Sequence, residues 1–386
     1  MKSKKVILII TVYFIALMAP YSVYAASWSP AKRLTWTPGN SEKPLLCIDS
    51  SGLIYLFWHD NSPGNQEIFF KKSTDSGATW SQIHRLTWNS GDTKNPSLVI
   101  DSNDHLHLFY DDDSSGNREI YFKKSTDSGE NWSIPHRFTW HPKYSFMPFP
   151  IMGAGTNIYV FYSDNRSHNF ELYMKSSTDL GASWSALQRI TWNSGGSFKP
   201  RAACDSPGNL HLVWYDNSPG NSEIYYKQKP FSSPNWSAIN RLSWNPGGSV
   251  SPLISIDDQD GLHIGWKDDS SGFWQVLYKR STNGGSSWSP LHQLGDYESP
   301  AKYVFLVPET TDKIHAVYQD SYPGNFEIYY KMSLDNGATW PAGERLTWNS
   351  GASIFAYAAL DPYGTLHIMW MDHTPGNDEI YYKKSL

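Results

Sequence analysis

The sequence predicts an all-β protein, a seven-bladed β-propeller of four-stranded antiparallel blades, and three observations carry that prediction. The tetrapeptide Arg-Leu-Thr-Trp, or a close variant, ends at Trp36, Trp88, Trp140, Trp192, Trp244 and Trp348, in steps of 52 residues with one double step. A second tryptophan series runs through Trp28, Trp80, Trp132, Trp184, Trp236, Trp288 and Trp340 at the same period without a gap. The 18 Trp, 24 Tyr and 17 Phe sit in short runs between Gly, Pro, Asn and Asp, and no stretch beyond the first 25 residues sustains a helical period. Aromatic runs between turn residues favour strands, and a fixed repeat of this length indicates a repeat architecture.

Each unit divides into four strand-like runs. In the first full unit they fall at residues 44–49, 53–58, 67–72 and 80–87, here called A to D. Asp-Ser-Ser-Gly, Asn-Ser-Pro-Gly-Asn, Thr-Asp-Ser-Gly and Asn-Ser-Gly supply the turns between them. Four antiparallel strands in a unit of this size make one propeller blade. The last unit ends at Leu386 after its C run, whereas residues 27–36 form an orphan D run. Placing that N-terminal strand in the last blade gives seven complete blades and removes an open sheet edge. No linker divides residues 26–386, which read as a single propeller domain.

The start of the chain sets the compartment. Lys2, Lys4 and Lys5 precede an apolar run from Val6 to Ala19, and Val23-Tyr24-Ala25 fits a cleavage site. Residues 1–25 therefore read as a secretory signal peptide and the protein as secreted or extracytoplasmic. An uncleaved anchor is the competing reading, although the run is short for a membrane span of roughly 20 residues. Cleavage takes the formal charge from –5 to –8. An acidic chain without a basic run excludes nucleic acid as a partner, because phosphate contacts need clustered Lys and Arg. Cys47 and Cys204 lie near the same point of repeats three blades apart, so no disulfide is expected.

Between runs C and D the chain reads Ser73-Thr-Asp75-Ser-Gly77-Ala-Thr-Trp80, and the pattern Ser-x-Asp-x-Gly-x-x-Trp recurs up to Trp132, Trp184, Trp288 and Trp340. Asn283 replaces the Asp in one copy, and the unit ending at Trp236 departs from the pattern. This resembles the Asp-box, or bacterial neuraminidase repeat, of the sialidase superfamily, and the repeat spans nearly the whole chain. The physical role of the box is local: Asp accepts turn amides, Gly allows a positive φ, and Trp packs the turn. The resemblance implies a propeller with these turns on the face opposite any active site. It implies activity less strongly. Members typically have six blades and clamp a carboxylate with three arginines, whereas Arg33, Arg85, Arg137, Arg189, Arg241 and Arg345 here share one periodic rim position. Arg118, Arg166, Arg201 and Arg280 lie off that pattern, only Arg201 begins an inner strand, and no Arg-Ile-Pro motif occurs.

The B–C and D–A loops share the face opposite those turns. Each B–C loop opens with an aromatic residue and an Asp: Trp58 and Asp60, Tyr110 and Asp112, Tyr162 and Asp164, Trp214 and Asp216, Trp266 and Asp268, Tyr318 and Asp320, Trp370 and Asp372. Two readings stand. The carboxylates close the loops while the rings fill the wedges between blades, or exposed rings beside carboxylates bind one sugar per blade junction. No cofactor is called for, and a calcium ring remains a weaker third reading because the spacing does not match a known loop. His107, His211, His263, His315 and His367 occupy one strand B position, with Tyr55 and Tyr159 at the equivalent places. One per blade disperses them around a ring, so they are expected in the core, hydrogen-bonded to the neighbouring blade, rather than on a metal.

A unique activity should lie where the repeat breaks. The third unit carries His141, Arg166 and His168, and the fifth carries Trp274 followed by Tyr297 and Glu298. Two functions are expected from this pattern. The first is a non-catalytic binding propeller that recognises a glycan or an extracellular protein through the B–C and D–A face. The second is a sialidase-like glycoside hydrolase or polysaccharide lyase, for which Arg201, Tyr297 and Glu298 would supply clamp, nucleophile and acid.

Overall fold

A computed structural model describes residues 27–295 and 299–386, so the signal-peptide reading falls outside the described residues. Seven four-stranded antiparallel sheets are arranged as blades, and six of them are built from consecutive strands. In the seventh, the N-terminal strand Lys32–Arg33 pairs with Glu379–Lys384, through Lys32 opposite Tyr382 and Arg33 opposite Tyr381. The ring is closed as the orphan strand required. No helix among the described residues is long and apolar enough to cross a membrane.

In the first blade the strands are Ser41–Ile48, Ile54–Asp60, Glu67–Ser73 and His84–Arg85. Strand B is buried along its whole length, because both of its faces meet a neighbouring blade. Leu45, Tyr55, Phe57, Ile68 and Phe70 of this blade pack on Leu98, Leu106, Leu108 and Tyr110 of the next. Each such side chain contributes roughly 1.5–3 kcal/mol by leaving water.

Strand D corrects the expected span 80–87, since its ladder is only two residues long. Single backbone bonds flank it, Leu86 N to Ile68 O at 2.8 Å and Ser81 N to Lys72 O at 2.9 Å. Hydroxyl groups complete them: Ser81 Oγ accepts from Lys72 N at 3.1 Å, and Thr87 Oγ1 accepts from Ile68 N at 2.9 Å. Arg85 Nη2 then donates to the buried Glu67 carboxylate at 2.8 Å. From the next blade, Lys123 Nζ donates to Leu86 O at 2.8 Å. The same Arg–Glu pair recurs at Arg33–Glu379, Arg137–Glu119, Arg189–Glu171, Arg241–Glu223 and Arg345–Glu327. In the fifth blade Gln293 Nε2 donates to Gln275 Oε1 at 2.7 Å, so both charges are replaced by amides together.

On the opposite face the Ser-x-Asp-x-Gly-x-x-Trp turns are held as local chemistry predicts. Asp75 accepts from Thr79 Oγ1 at 2.6 Å on Oδ2, and from Thr79 N and Ser73 Oγ, both at 2.8 Å, on Oδ1, and these bonds hold its carboxyl down at about 2. Gly77 has φ +80°, and a Cβ there would clash with Tyr382 Oη of the preceding blade. The strand B histidines bond first within their own blade, which corrects the expectation of a direct inter-blade bond. His211 meets Asp205 at 3.1 Å and Tyr226 at 2.8 Å, and it is Tyr226 Oη that donates to Gly284 O of the next blade.

Leu34 is buried between the first and last blades with Trp58 and Ile380. Leu34→Ala should therefore cost about 2–4 kcal/mol in a denaturant titration. Deleting residues 27–36 should abolish cooperative melting, because it also leaves the buried Glu379 without Arg33. A truncated protein that melts like the full chain contradicts closure.

Candidate functional site

Each innermost strand begins with a β-bulge, seen in the first blade as a register shift between Glu42 and Leu45. At every bulge one non-glycine residue holds a left-handed backbone: Lys43 (φ 50°), Asn95 (54°), Met147 (54°), Lys199 (50°), Ser251 (55°), Tyr303 (46°) and Phe355 (54°). Such a conformation costs an L-residue roughly 1–2 kcal/mol. A proline follows in five of the seven blades, and proline disfavours the right-handed helical region for the residue before it. The bulge re-aims these side chains into the end of the channel that carries the B–C and D–A loops. They ring a funnel of about 460 Å³.

One level deeper the wall is formed by Leu45, Ser97, Phe149, Arg201, Leu253, Phe305 and Tyr357. The described lining contains three cations and no carboxylate. Lys43 Nζ donates to Asn95 Oδ1 at 3.2 Å and Lys199 Nζ to Ser251 Oγ at 3.0 Å. Arg201 Nη1 donates to Pro200 O at 2.9 Å, and its guanidinium lies 4.7 Å from the Phe149 ring centre. Arg201 has no ion pair among the described residues. Burial is the main cause that lowers Lys199 to about 8, and the charges of Arg201, Lys267 and Lys43 lower it further. Desolvation likewise lowers Arg201, and it lowers the more exposed Lys43 against the opposing charges of Asp111 and Glu42. At the rim, Lys267 Nζ lies 4.3 Å from the Trp274 ring and 4.8 Å from Tyr303. Asp111 lies outside the lining, accepts from Asn95 Nδ2 at 2.9 Å and faces Arg118 at 3.3 Å; burial raises it to about 6.

Of the residues singled out from sequence, Arg201 is in the funnel and Trp274 is at its rim. The ring of aromatic and acidic residues is not where a sugar could stack. Trp58, Tyr110, Trp214, Trp266 and Trp370 are at most 1% exposed, so they fill the wedges between blades. Asp60, Asp112, Asp216, Asp268 and Asp372 are also buried. Asp60 accepts from Thr37 Oγ1 at 2.8 Å, Ser41 Oγ at 2.6 Å and Ser62 N at 2.8 Å, which leaves little acceptor capacity for a ligand. Asp216 and Asp268 bind Ser197 and Ser249 in the same way. Exposed rings at these positions are therefore corrected to loop closure and core packing.

The third unit's residues lie apart from the funnel. Arg166 is locked on Asp164 through Nε at 3.0 Å and Nη2 at 2.7 Å, with Tyr173 beneath it. His141 Nδ1 accepts from Lys143 N at 3.2 Å. His168 is exposed at φ 80°, in the loop position that glycine holds in the other six blades. Tyr297 and Glu298 lie outside the described residues. Cys47 and Cys204 are free, with burial pushing their thiols up to about 12 and about 11. Among the described residues no group of His, Cys, Asp and Glu is arranged to hold a metal ion.

No family model matches the chain, and no curated protein matches it. Solved structures do. An ulvan lyase from a new polysaccharide lyase family, bound to -[GlcA(1-4)Rha3S]-, aligns with TM-score 0.67 at 12% identity, covering 91% of this chain and 95% of that one. A Dyadobacter fermentans protein of unknown function aligns with TM-score 0.57 at 13% identity, covering 92% and 98%. The Ruminococcus gnavus intramolecular trans-sialidase aligns with TM-score 0.51 at 15% identity, covering 92% and 97%. At these identities the likeness establishes the architecture, a propeller like those of sialidases and polysaccharide lyases, and no more.

The crowded cations give a direct test. Lys199 titrates near 8 in the folded protein against an ordinary lysine value of about 10.4 when unfolded. Below pH 8 the folded state carries a charge it disfavours, so Lys199→Met should raise stability at pH 7. As pH rises from 8 to about 10.4 the unfolded chain binds the extra proton, wild type recovers, and the advantage should vanish. Thermal melts of both proteins at pH 7 and 10.5 measure it.

Proposed function

We propose that this protein binds an acidic carbohydrate at the funnel, as an exported propeller whose recognition face carries the B–C and D–A loops. The observation that supports this most is the cluster of Lys43, Lys199 and Arg201 in an aromatic wall with no carboxylate among the described lining residues. Lys199 and Arg201 are half-buried and have no ion pair among the described residues, which is costly, and an anionic ligand offsets that cost. Arg201 offers a planar fork that suits a carboxylate or sulfate. Phe149, Tyr303 and Phe355 offer ring faces on which the apolar side of a pyranose stacks. The solved propellers of similar shape include one in complex with a glucuronic-acid and sulfated-rhamnose oligosaccharide, which is a ligand of this charge class.

Calorimetric titration with uronic-acid tetrasaccharides tests the reading. Arg201→Ala should weaken binding by about tenfold or more, the loss of a charged hydrogen bond of roughly 1.5–3 kcal/mol. Affinity should also fall as pH rises through 8 and Lys199 loses its proton. A variant that binds as wild type does, or binding that ignores pH over this range, removes the funnel from consideration.

A second reading is cleavage of the same polymer at the same place. It is favoured by one observation, that Lys199 near neutrality beside Arg201 is suited to accept a proton from a sugar whose carboxylate Arg201 holds. New chain ends appearing in a uronate polymer, and their loss in Lys199→Met, would move the function to this class. Unbroken polymer with retained binding keeps it with binding alone.

A further inference from the structure

The Arg-Leu-Thr-Trp repeat leaves one large residue mostly in solvent, approached by its own Arg, by a lysine of the neighbouring blade, or by both. Its Arg, Leu and Thr hold the outer strand, but Trp36, Trp88, Trp140, Trp192, Trp244 and Trp348 are 64–67% exposed. They are the largest exposed side chains in the protein, and symmetry places them at one level around the rim, beside the D–A loops. Five of them lie beside their own Arg, with the guanidinium carbon 5.6–5.8 Å from the ring centre. In each of the six units the Arg commits Nε to a backbone carbonyl, as Arg85 does to Thr87 O at 2.7 Å, and Nη2 to the buried Glu. Nη1 has no partner among the described residues in any of the six. Each unit thus presents an open indole next to a guanidinium nitrogen with donors to spare, and the arginine side chains are 25–28% exposed.

The fifth blade shows that these parts belong together. It lacks the Arg (Gln293), the Glu (Gln275) and the Trp (Asp296) at once, while keeping the buried Leu294. The ring is lost together with the guanidinium it lies against, so indole and arginine form one unit at each site. The six rings are one blade apart, or two between Trp244 and Trp348, so they form no continuous apolar patch of the size that a stable protein interface needs. They suit a ligand that repeats.

We infer that the rim is a six-site platform for a long anionic polysaccharide, each site stacking one sugar on a tryptophan and donating from arginine Nη1 to a carboxylate or sulfate. Each site alone is shallow and weak. A polymer long enough to meet several sites gains avidity of about 10²- to 10⁴-fold without new contacts. The platform is separate from the funnel, and its test does not require the funnel to bind anything.

The test is affinity electrophoresis and calorimetry of the whole protein with dextran sulfate, neutral dextran of equal length, and phosphatidylserine vesicles. Wild type should bind dextran sulfate at least tenfold more tightly than dextran. Replacing two, four and six of the tryptophans by Ala should weaken the apparent Kd stepwise, to at least a hundredfold with all six gone. The six-site Trp→Tyr protein keeps a ring at each place and should stay within about threefold of wild type, which decides the matter if the Ala protein folds poorly. Undiminished binding by a folded six-site Ala protein overturns the inference, as does loss of binding in the Tyr protein. Equal binding of neutral dextran, or binding of vesicles in place of the polymer, overturns it too.

Discussion

Everything in this propeller depends on securing an outer strand that is too short to secure itself. Two residues of backbone ladder, such as His84 and Arg85 in the first blade, cannot hold a sheet edge. Two single backbone bonds, Leu86 N to Ile68 O and Ser81 N to Lys72 O, add to it, and side chains do the rest. A buried carboxylate on strand C, Glu67 in that blade, accepts from Arg85 Nη2 and from Asn89 N at 2.7 Å. Leu86 enters the core, Thr87 replaces a missing carbonyl, and Lys123 of the next blade closes on Leu86 O. A lone buried carboxylate would cost several kcal/mol, so the donors around it must stay fixed. One short motif thereby sets the blade edge, the blade spacing and the direction of the D–A loop.

That rigid frame permits variety at the axis. The residues that hold the strands are the same in nearly every blade, whereas the seven left-handed bulge positions are Lys, Asn, Met, Lys, Ser, Tyr and Phe. Seven strained residues of roughly 1–2 kcal/mol each survive only because the surrounding sheets over-determine them. The strain turns their side chains toward the funnel. A symmetric scaffold here carries an asymmetric site, with Lys199 and Arg201 on one wall and Tyr303, Phe305, Phe355 and Tyr357 on another.

The blade count, the strand order and the closure by residues 27–36 were legible because period, turn residues and a displaced strand are all properties of the chain itself. The site was less legible. Trp58 and Asp60 fit a packed wedge and a surface pair equally in sequence, because a regular aromatic series cannot report which face it meets, and only the covering of strand B on both faces decides for the wedge. The rim tryptophans were visible as a period but not as exposed rings, since Leu34 and Trp36 are equally apolar on paper and differ only in the strand they end. Arg201 stood out because it broke the arginine period. The funnel's remaining residues carried one local signal, a variable residue before a proline in strand A, as in Lys43-Pro44 and Lys199-Pro200. Recognising it required the bulge, which depends on pairing across the sheet.

The most direct measurement is a crystal structure of the protein soaked with a uronic-acid oligosaccharide. A carboxylate within hydrogen-bond distance of Arg201 and Lys199 is expected, with a pyranose face against Phe149, Tyr303 or Phe355. An empty funnel alongside sugar bound on the face of the Ser-x-Asp-x-Gly-x-x-Trp turns would contradict it.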